Sequence, residues 1–244
     1  MRIGKFGYVN NYLPYYRLER ERNVEVVESS PKEMIRLIEL GKIDYAPIPS
    51  FYYLKNRDRL KRYRFCVASD GKVYSVIVVS RDGKLGSKIG VTCETTTSVN
   101  LLRIIAKERD LNCRILSMNV SRAEEILRYC DSALVIGDSA IDAMKRFRVV
   151  IDLGEEWKEL TGYPMVFGIS SSIGDAEICD EAVLRSLKWG LENFDEVLNS
   201  AVKKFGLSKD FLNVYFKSLK HIMDKRCERG LKAFEELCRD YKLL

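Results

Sequence analysis

Four consecutive hydroxyl side chains are the most suggestive chemical feature of the sequence. Thr95, Thr96, Thr97 and Ser98 follow the strand-like segment 89–92 and open a helix-like segment. At the start of a helix, unpaired backbone N–H groups and the helix dipole favour an anion. The four hydroxyls therefore indicate a carboxylate site, with an ordinary helix cap as the alternative.

Neutral polar residues also follow other strand-like segments. Asn10 and Asn11 end the first one, where their amides can donate to a hydroxyl or a carboxylate without adding charge. A simple turn is the alternative for this pair. The other polar or small residues at predicted strand ends are Pro49, Ser50, Ser69, Asp70, Gly71, Gly137 and Asp138. By the rule for open α/β sheets, such residues face one ligand cleft.

The sequence lacks most motifs that announce catalytic chemistry. Its single histidine, His221, is predicted in a C-terminal helix, so no Ser-His-Asp, Cys-His or zinc-binding histidine pattern can be assembled. Neither a dinucleotide fingerprint nor a P-loop is present. Cys93 ends a predicted strand beside a helix start, where a thiolate would be stabilised, but packing is the favoured interpretation. The sequence therefore predicts no cofactor and no metal, and favours cofactor-free chemistry or simple binding.

Composition indicates a folded intracellular protein. The chain has 244 residues, of which 46% are hydrophobic, enough for one large domain or two smaller ones. Its seven cysteines include no C-x-x-C pair, and their odd number argues against a secreted disulfide scaffold. No signal-peptide pattern and no apolar run of ~20 residues is present. We therefore expect a cytoplasmic protein with no membrane partner.

The charge balance is mildly basic. The chain carries 41 Lys+Arg and 35 Asp+Glu, a net charge of +6. The densest basic cluster, residues 55–64, allows RNA binding as a hypothesis, but a solvated loop is the preferred interpretation because no nucleic-acid-binding motif accompanies it. We expect no nucleic-acid partner, and we expect the positive field to attract a small polyanion.

Strand and helix signals alternate from the first residue, which is typical of an α/β protein. Strands are predicted at 3–9, 24–28, 43–48, 64–68, 73–80, 89–92, 114–118, 133–136, 149–153 and 165–169. The best-marked helix has Ser30 as N-cap, Pro31 as its first residue, Glu33 as capping-box partner and Gly41 as its stop.

Further helices complete the pattern. One begins at Thr95 or Thr97, and another is capped by Ser121. The C-terminal part of the chain is predicted helical, in three segments separated near Gly206 and His221.

This alternation predicts mostly parallel sheets covered by helices. The strands at 73–80 and 165–169 bracket the middle units, which predicts one lobe inserted into another through two crossing strands. The predicted outer lobe comprises residues 1–76 and 168–244, and the inserted lobe comprises residues 77–167. The ligand is expected in the cleft between the lobes.

Taken in order, these segments resemble the chorismate dehydratase family of the futalosine route to menaquinone. The resemblance extends to about residue 168 and rests on motifs at 2–4, 8–10, 13–14, 44–50, 69–71, 75–76, 92–99, 136–138, 152–157 and 161–164. The most specific pair is D-L-G-E-E-W from Asp152 and T-G-Y-P from Thr161. The resemblance implies a type II periplasmic-binding-protein-like fold, in agreement with the two predicted lobes.

The resemblance also implies a reaction and a site. The reaction is loss of water from chorismate, a small dicarboxylate, to give 3-[(1-carboxyvinyl)oxy]benzoate, without a cofactor and with the substrate's enolpyruvyl carboxylate as base. Asn10 or Asn11 would orient the reacting hydroxyl. The residues implied to bind the substrate are Ser50, Ser69, Ser75, Thr96, Thr97, Ser98, Gly137 and Asp138.

Departures from the family pattern leave alternatives open. Residues 10–14 read N-N-Y-L-P, one residue longer than the usual N-T-L-P, so either asparagine can hold the critical position. Pro49 stands where serine is common and Tyr74 where glycine is usual. The alternatives are an enzyme of altered specificity and a non-catalytic intracellular binding protein for a small cyclic carboxylate. A second family of the same pathway matches the N-terminal motif less well, and the oligomeric state is not predicted.

Overall fold

The computed structural model describes residues 1–92 and 96–244. Its strands are β1 (Arg2–Phe6), β2 (Glu25–Ser29), β3 (Ala46–Pro49), β4 (Lys61–Ser69), β5 (Val76–Ser80), β6 (Lys88–Thr92), β7 (Arg114–Met118), β8 (Ser132–Ile136), β9 (Arg148–Asp152), β10 (Met165–Ser172) and β11 (Leu219–Ile222). Its α-helices are α1 (Tyr12–Tyr15), α2 (Pro31–Glu39), α3 (Ser50–Asn56), α4 (Thr96–Glu108), α5 (Ala123–Ile126), α6 (Gly137–Ala143), α7 (Leu153–Thr161), α8 (Glu177–Glu192), α9 (Phe194–Phe205), α10 (Lys209–Ser218) and α11 (Lys225–Asp240). Short 3-10 helices span Val9–Asn11 and Leu18–Arg20.

The chain divides into two compact units. Unit 1 comprises Met1–Ala68 and Val166–Asp224, and unit 2 comprises Ser69–Met165 and Lys225–Leu244. The sequence-based division kept residues 168–244 together, whereas the structure groups helix α11 with unit 2. The physical reason is close packing inside unit 2. A Cβ atom on Gly230 would lie 2.0 Å from the carbonyl oxygen of Pro164, and the Phe234 ring meets the Trp157 ring edge-on at 6.0 Å.

Unit 1 contains the two-stranded sheet β1-β2 and the four-stranded sheet β11-β4-β10-β3. Strand β1 is parallel to β2, and an isolated parallel bridge joins Ile3 to Tyr45, the residue before β3. The buried carboxylate of Asp180, on α8, accepts hydrogen bonds from the Tyr45 hydroxyl at 2.5 Å and from the Phe65 backbone N–H at 3.0 Å. These bonds satisfy a charge in the core and tie α8 to the strands.

Unit 2 contains the five-stranded sheet β7-β6-β8-β5-β9. Strand β6 is parallel to β7 and β8, and β5 is antiparallel to β8 and β9. Every residue of β5 is buried, which explains its continuous apolar run. The structure corrects the expectation of mostly parallel sheets to mixed sheets, because β5 runs against both neighbours and β10 runs against β3.

Two helix starts were predicted with a named cap residue, Ser30 and Ser121. The Ser30 hydroxyl accepts a hydrogen bond from the Glu33 backbone N–H at 3.3 Å, so the predicted start of α2 is confirmed. The predicted Ser121 cap is wrong. Helix α5 is a single turn whose N-cap is Arg122, and it has no side-chain cap hydrogen bond.

The C-terminal part differs from the three predicted helical segments. Helices α8 and α9 are separated at Asn193, and His221 lies in strand β11 instead of a helix. Leu219 and His221 are buried, whereas Ile222 is exposed, which is the alternation of a strand. The His221 ring stacks on the Phe65 ring of β4 with centroids 5.6 Å apart, and this packing favours a strand over a helix.

Candidate functional site

In unit 1 the predicted polar residues follow two neighbouring parallel strands. Gly4 donates its backbone N–H to the carbonyl of Tyr45 at 2.7 Å, which places the first strand beside the segment that leads into β3. Asn10 and Asn11 lie in the 3-10 helix after β1, and Ser50 is the first residue of α3 directly after β3. The carboxyl ends of parallel strands meet at one edge, so these three residues belong to the same edge of unit 1.

Burial sets these three side chains apart from ordinary turn residues. Asn11 and Ser50 are fully buried and Asn10 is 8% exposed. Within the described residues, the Oδ1 atoms of both asparagines and the Oγ atom of Ser50 have no hydrogen-bond partner. A buried polar atom without a partner costs about 1–3 kcal/mol, so such atoms call for a ligand or a water.

The two asparagines differ in how they are held. The Asn11 side-chain amide donates to the carbonyl of Phe6 at 3.3 Å, which anchors it to the end of β1. Asn10 retains some exposure, and its Oδ1 atom has no hydrogen-bond partner in the described part of the chain. Asn10 is therefore the better candidate to meet a ligand, and Asn11 the better candidate to shape the turn.

In unit 2 the remaining predicted residues lie at one edge of the five-stranded sheet. Strands β6, β8 and β9 run in the same direction and end there, and β5 begins there. Gly137 donates its backbone N–H to the carbonyl of Ser75 at 2.8 Å, so these two residues are neighbours. The predicted residues at this edge are Ser75, Thr96, Thr97, Ser98, Gly137 and Asp138.

Three of the four consecutive hydroxyl residues, Thr96, Thr97 and Ser98, lie in the first turn of α4, at this edge of the sheet. Thr97 and Ser98 are buried, while Thr96 is exposed. The helix is 13 residues long, which gives its first turn the partial positive charge that favours an anion. Thr95 and the candidate thiol Cys93 lie outside the described residues. The carboxylate site at this helix start therefore stays a prediction.

Asp152 is the residue at this edge whose role the sequence did not reveal. Its buried carboxylate accepts hydrogen bonds from the backbone N–H groups of Val73, Tyr74, Gly154 and Glu155, at 2.8–3.1 Å. Burial raises the pKa of the Asp152 carboxyl, and the four backbone hydrogen bonds oppose that shift. The helix start of α7 is thus occupied by the chain's own carboxylate and cannot serve a substrate anion.

Ser69 and Gly154 meet on the same side of this turn. Ser69 is fully buried, and its Oγ atom has no partner within the described residues. A Cβ atom on Gly154 would lie 2.4 Å from the carbonyl oxygen of Gly71 and 2.6 Å from the Ser69 hydroxyl. The turn therefore requires glycine at position 154. The pattern D-x-x-E from Asp152 to Glu155 is the sequence signal that could have indicated this capped turn.

The two residues that depart from the family pattern, Pro49 and Tyr74, both lie next to predicted site residues. Pro49 ends β3 opposite Gly168 and is the N-cap residue of α3 without a side-chain cap hydrogen bond. Tyr74 has a φ of +59°, a conformation that glycine adopts freely and tyrosine rarely does. The departure at Tyr74 therefore places a bulky residue in a strained backbone conformation beside Ser75.

Other chemically active groups lie outside these sets. His221 is buried in β11, where its Nδ1–H donates to the carbonyl of Cys66 at 3.3 Å and burial lowers its pKa to about 4. No group of three or more His, Cys, Asp or Glu side chains suited to a metal ion occurs in 1–92 or 96–244. None of the helices described is both long enough and apolar enough to cross a membrane.

Comparison with known sequences gives a family. A family model described as menaquinone biosynthesis matches residues 1–240. Chorismate dehydratase from Thermus thermophilus is 28% identical to this chain, and the alignment covers 93% of this chain and 91% of that protein.

Solved structures with the same fold are more distant in sequence. A protein from Archaeoglobus fulgidus has a TM-score of 0.79 at 18% identity, covering all of this chain and 98% of that one. The periplasmic aliphatic sulphonate binding protein of Escherichia coli has a TM-score of 0.69 at 13% identity, covering 100% and 88%. A Candida albicans protein described as having the generic periplasmic binding protein fold has a TM-score of 0.69 at 10% identity, covering 97% and 89%.

These likenesses confirm the predicted two-lobed α/β fold class, that of the periplasmic binding proteins. The family match extends far beyond half of the chain. The chain belongs to the menaquinone biosynthesis family.

Proposed function

We propose that this protein is a chorismate dehydratase, a hydro-lyase that removes water from chorismate to give 3-[(1-carboxyvinyl)oxy]benzoate. The proposal is supported by the family match over residues 1–240 and by the 28% identity to a chorismate dehydratase. As a step of menaquinone biosynthesis, the reaction is proposed to take place in the cytoplasm.

The chemistry makes limited demands on the protein. Loss of water from the cyclohexadiene ring of chorismate leaves a benzene ring, so aromatisation supplies much of the driving force. The enzyme has to hold a dianion and align the departing proton and hydroxyl, which is catalysis by orientation. Neutral hydrogen-bonding side chains are suited to that task.

One observation carries the assignment of the hydroxyl site. Asn10 and Ser50 bury polar oxygen atoms that have no partner among the described residues. An Oδ1 atom can accept a hydrogen bond from the reacting hydroxyl of the substrate, and a serine Oγ–H can donate to a carboxylate. We assign Asn10 to the hydroxyl, with Asn11 supporting it, and Ser50 to a carboxylate oxygen.

The carboxylate site draws on unit 2. Ser75, Thr97 and Ser98 are buried hydroxyl residues at the sheet edge. Hydroxyls and backbone N–H groups at the start of the long helix α4 suit a carboxylate. Thr96 is assigned to the same anion. Ser69 and Gly137 are assigned to the wall of the site, and Asp138 to a substrate hydroxyl.

The proton acceptor is assigned to the substrate. The Asp152 carboxylate already accepts four backbone hydrogen bonds. The buried His221 ring is stacked on Phe65 and bonded to a main-chain carbonyl. Neither group is available as a general base, which supports a mechanism in which the enolpyruvyl carboxylate of chorismate removes the proton.

The test is direct turnover. Purified protein is incubated with chorismate, and the product is followed by chromatography against an enzyme-free control for spontaneous decay. Asn10→Ala serves as the variant expected to lose activity. Asn56→Ala serves as the matched control, because the Asn56 side-chain amide donates to the Tyr52 carbonyl within α3.

Each outcome has a defined meaning. Product formation by the wild type and by Asn56→Ala supports the proposal. Absence of product together with protection from thermal unfolding by chorismate would overturn the dehydratase and favour a carboxylate-binding protein or an enzyme of altered specificity. Absence of both product and protection would overturn the substrate assignment as well.

A further inference from the structure

The segment before β5 contains a tight turn in a strained conformation. The Ser75 backbone N–H donates to the carbonyl of Val73 at 2.6 Å, which closes a three-residue turn around Tyr74. With φ at +59°, Tyr74 is the centre of the rarer and more strained form of this turn. A non-glycine residue held in such a region costs about 1–3 kcal/mol and persists only where the surroundings enforce it.

Asp152 is the group that enforces it. Its Oδ2 atom accepts the Tyr74 N–H at 2.8 Å, and both of its oxygens are within 3.1 Å of the Val73 nitrogen. Its Oδ1 atom accepts the Gly154 and Glu155 N–H groups that begin α7. The two oxygens share the Val73 N–H, but their other partners differ, since Oδ1 caps the helix and Oδ2 accepts the Tyr74 N–H.

The other side of the segment is also fixed. The Asp70 carboxylate is paired with Lys158, on α7, and lies 3.3 Å from the guanidinium of Arg226, on α11. The segment from Asp70 to Ser75 is thus held within unit 2 by the ion pairs of Asp70 at one end and by the hydrogen bond between Gly137 and Ser75 at the other. A segment held in this way can keep a strained residue at its centre.

The turn determines where Ser75 lies. Ser75 is buried, and its carbonyl accepts the Gly137 N–H at 2.8 Å. If Tyr74 relaxed to a negative φ, the direction of the chain entering β5 would change, and the Ser75 hydroxyl would move with it. Small displacements of a positioning group can cost about 10²-fold in rate.

We propose that Asp152 is a positioning residue, whose Oδ2 atom holds Tyr74 in its left-handed conformation and thereby sets the position of Ser75, whose hydroxyl would exchange the Val73 carbonyl, 3.3 Å away, for the substrate carboxylate. The part of the inference that concerns the substrate rests on the proposed function. The part that concerns the coupling of Asp152 to Tyr74 stands on the structure of unit 2 alone.

The variant Asp152→Asn tests whether Oδ2 holds Tyr74 independently of the helix cap that Oδ1 provides. Asparagine caps helices as well as aspartate does, so α7 keeps its cap through Oδ1. The Nδ2 group would then face the Tyr74 N–H, and two donors repel. We expect kcat/KM for chorismate to fall by ~10²-fold, and we expect a much smaller further loss when Asp152→Asn is added to Ser75→Ala.

Rescue by glycine separates positioning from a general structural role. Glycine adopts a positive φ without strain, so Tyr74→Gly should recover about tenfold of the lost kcat/KM in the Asp152→Asn background. In the wild-type background the same change should raise Tm, because strain is present there. In the Asp152→Asn background it should leave Tm unchanged or lower it, because the strain has already been released.

Asp131→Asn is the matched control. The Asp131 carboxylate accepts the backbone N–H groups of Ser87 and Lys88 at 2.8 and 2.9 Å, at the opposite end of the β6–β8 pair. We expect this variant to lose stability and keep its kcat/KM. Gly86, the residue before Ser87, has a φ of +69°, so the turn at Asp131 already has a glycine at its positive-φ position. In this respect it corresponds to the Asp152 turn of the Tyr74→Gly variant.

Two results would overturn the inference. One is an equal change in Tm on Tyr74→Gly with and without Asp152, since additive effects exclude coupling. The other is a loss of kcat/KM in Asp152→Asn that Tyr74→Gly does not restore at all. If the wild type fails to turn over chorismate, the proposed function fails, and the Tm comparison alone decides whether Asp152 holds the turn.

Discussion

The buried strand-end residues of unit 1 and the buried Asp152 of unit 2 differ in how their polar atoms are satisfied. In unit 1, oxygens of Asn10, Asn11 and Ser50 are buried without a partner in the described part of the chain. In unit 2, the buried Asp152 carboxylate has four backbone partners. The strand-end residues of unit 1 leave acceptors unsatisfied, whereas Asp152 is a charged acceptor that fixes the backbone around it, as Asp180 does in the core of unit 1.

This difference illustrates two ways in which a protein can arrange residues for ligand binding. An unsatisfied buried atom lowers the stability of the ligand-free protein and gains a partner only when a ligand arrives. A satisfied carboxylate contributes nothing directly to a ligand, but it holds nearby groups in place. We therefore expect changes at Asn10 and Ser50 to affect catalysis more than folding, and changes around Asp152 to affect both.

The largest effect is expected at Asn10. Asn10→Ala should lower kcat for chorismate by about 10²–10³-fold, as expected when one positioned hydrogen-bonding group is removed. Its Tm should equal or exceed that of the wild type, because the Asn10 Oδ1 atom has no partner to lose and the cost of burying it is removed. Asn11→Ala should lower Tm, because it removes the hydrogen bond to the Phe6 carbonyl. The reverse pattern in kinetic and unfolding measurements would exchange the roles of the two asparagines.

The next effect concerns the buried histidine of unit 1, which the structure makes a folding residue. Burial lowers the folded pKa of His221 to about 4, below the ordinary 6.5. The unfolded chain therefore binds this proton first. The stability that depends on neutral His221 is complete above pH 6.5 and is lost as pH falls towards 4, by about 3 kcal/mol.

His221→Phe keeps an aromatic ring against Phe65 and removes the titration. Relative to this variant, the wild type should lose stability between pH 6.5 and 4 in denaturant unfolding experiments. Turnover at pH 7 should be similar in the two proteins. Parallel unfolding curves of the two proteins across this pH range would contradict the assignment.

A smaller effect is expected from the tight turn of unit 2. Gly154→Ala places a methyl group 2.4 Å from a backbone oxygen of Gly71, and overpacking of this kind costs ~1–3 kcal/mol. Gly174→Ala is the control, because nothing lies within 4 Å of the new Cβ atom. If Gly154→Ala is as stable as Gly174→Ala in thermal unfolding, the turn around Asp152 is less rigid than the structure indicates.

The smallest effect is expected at Asp138. This residue lies in the first turn of α6 and is the one carboxylate among the predicted site residues. If the substrate supplies the base, Asp138→Asn should change kcat by less than about tenfold and leave the pH profile in place. A loss of ~10²-fold or more with a changed pH profile would make Asp138 the general base instead.

The sequence predicted the elements whose signals are local. The start of α2 could be predicted because Ser30, Pro31 and Glu33 are adjacent in the chain and act on one another. The strand containing His221 could not, because its pairing with β4 depends on the ring stacking against Phe65, more than 150 residues away. Long-range packing overrides local helix preference in such cases.

Some of the candidate site residues could be proposed from the sequence, because their signals are also local. Asn10, Ser50 and Gly137 could be singled out because each follows a strand, and strand ends are visible in the sequence. The capping of α7 by Asp152 has a local signal in D-x-x-E, but its bonds to Val73 and Tyr74 could not be predicted, because those residues are almost 80 positions away in the chain. The residues next to Tyr74 give no signal for its positive φ, and the only indication is that glycine is usual at this position in the family.

The way the chain is shared between the units sets an order of completion during synthesis. Unit 1 is complete once Asp224 has been made, whereas unit 2 still lacks helix α11, although its strands were made earlier. Roughly 60 residues separate Met165 from Lys225, which is about 3–12 s of synthesis at ordinary rates. During that interval the face of Trp157 that later receives Phe234 has no cover from α11. Unit 2 is therefore completed last, although all of its strands are made before β10 and β11 of unit 1, and part of its core is uncovered during this interval.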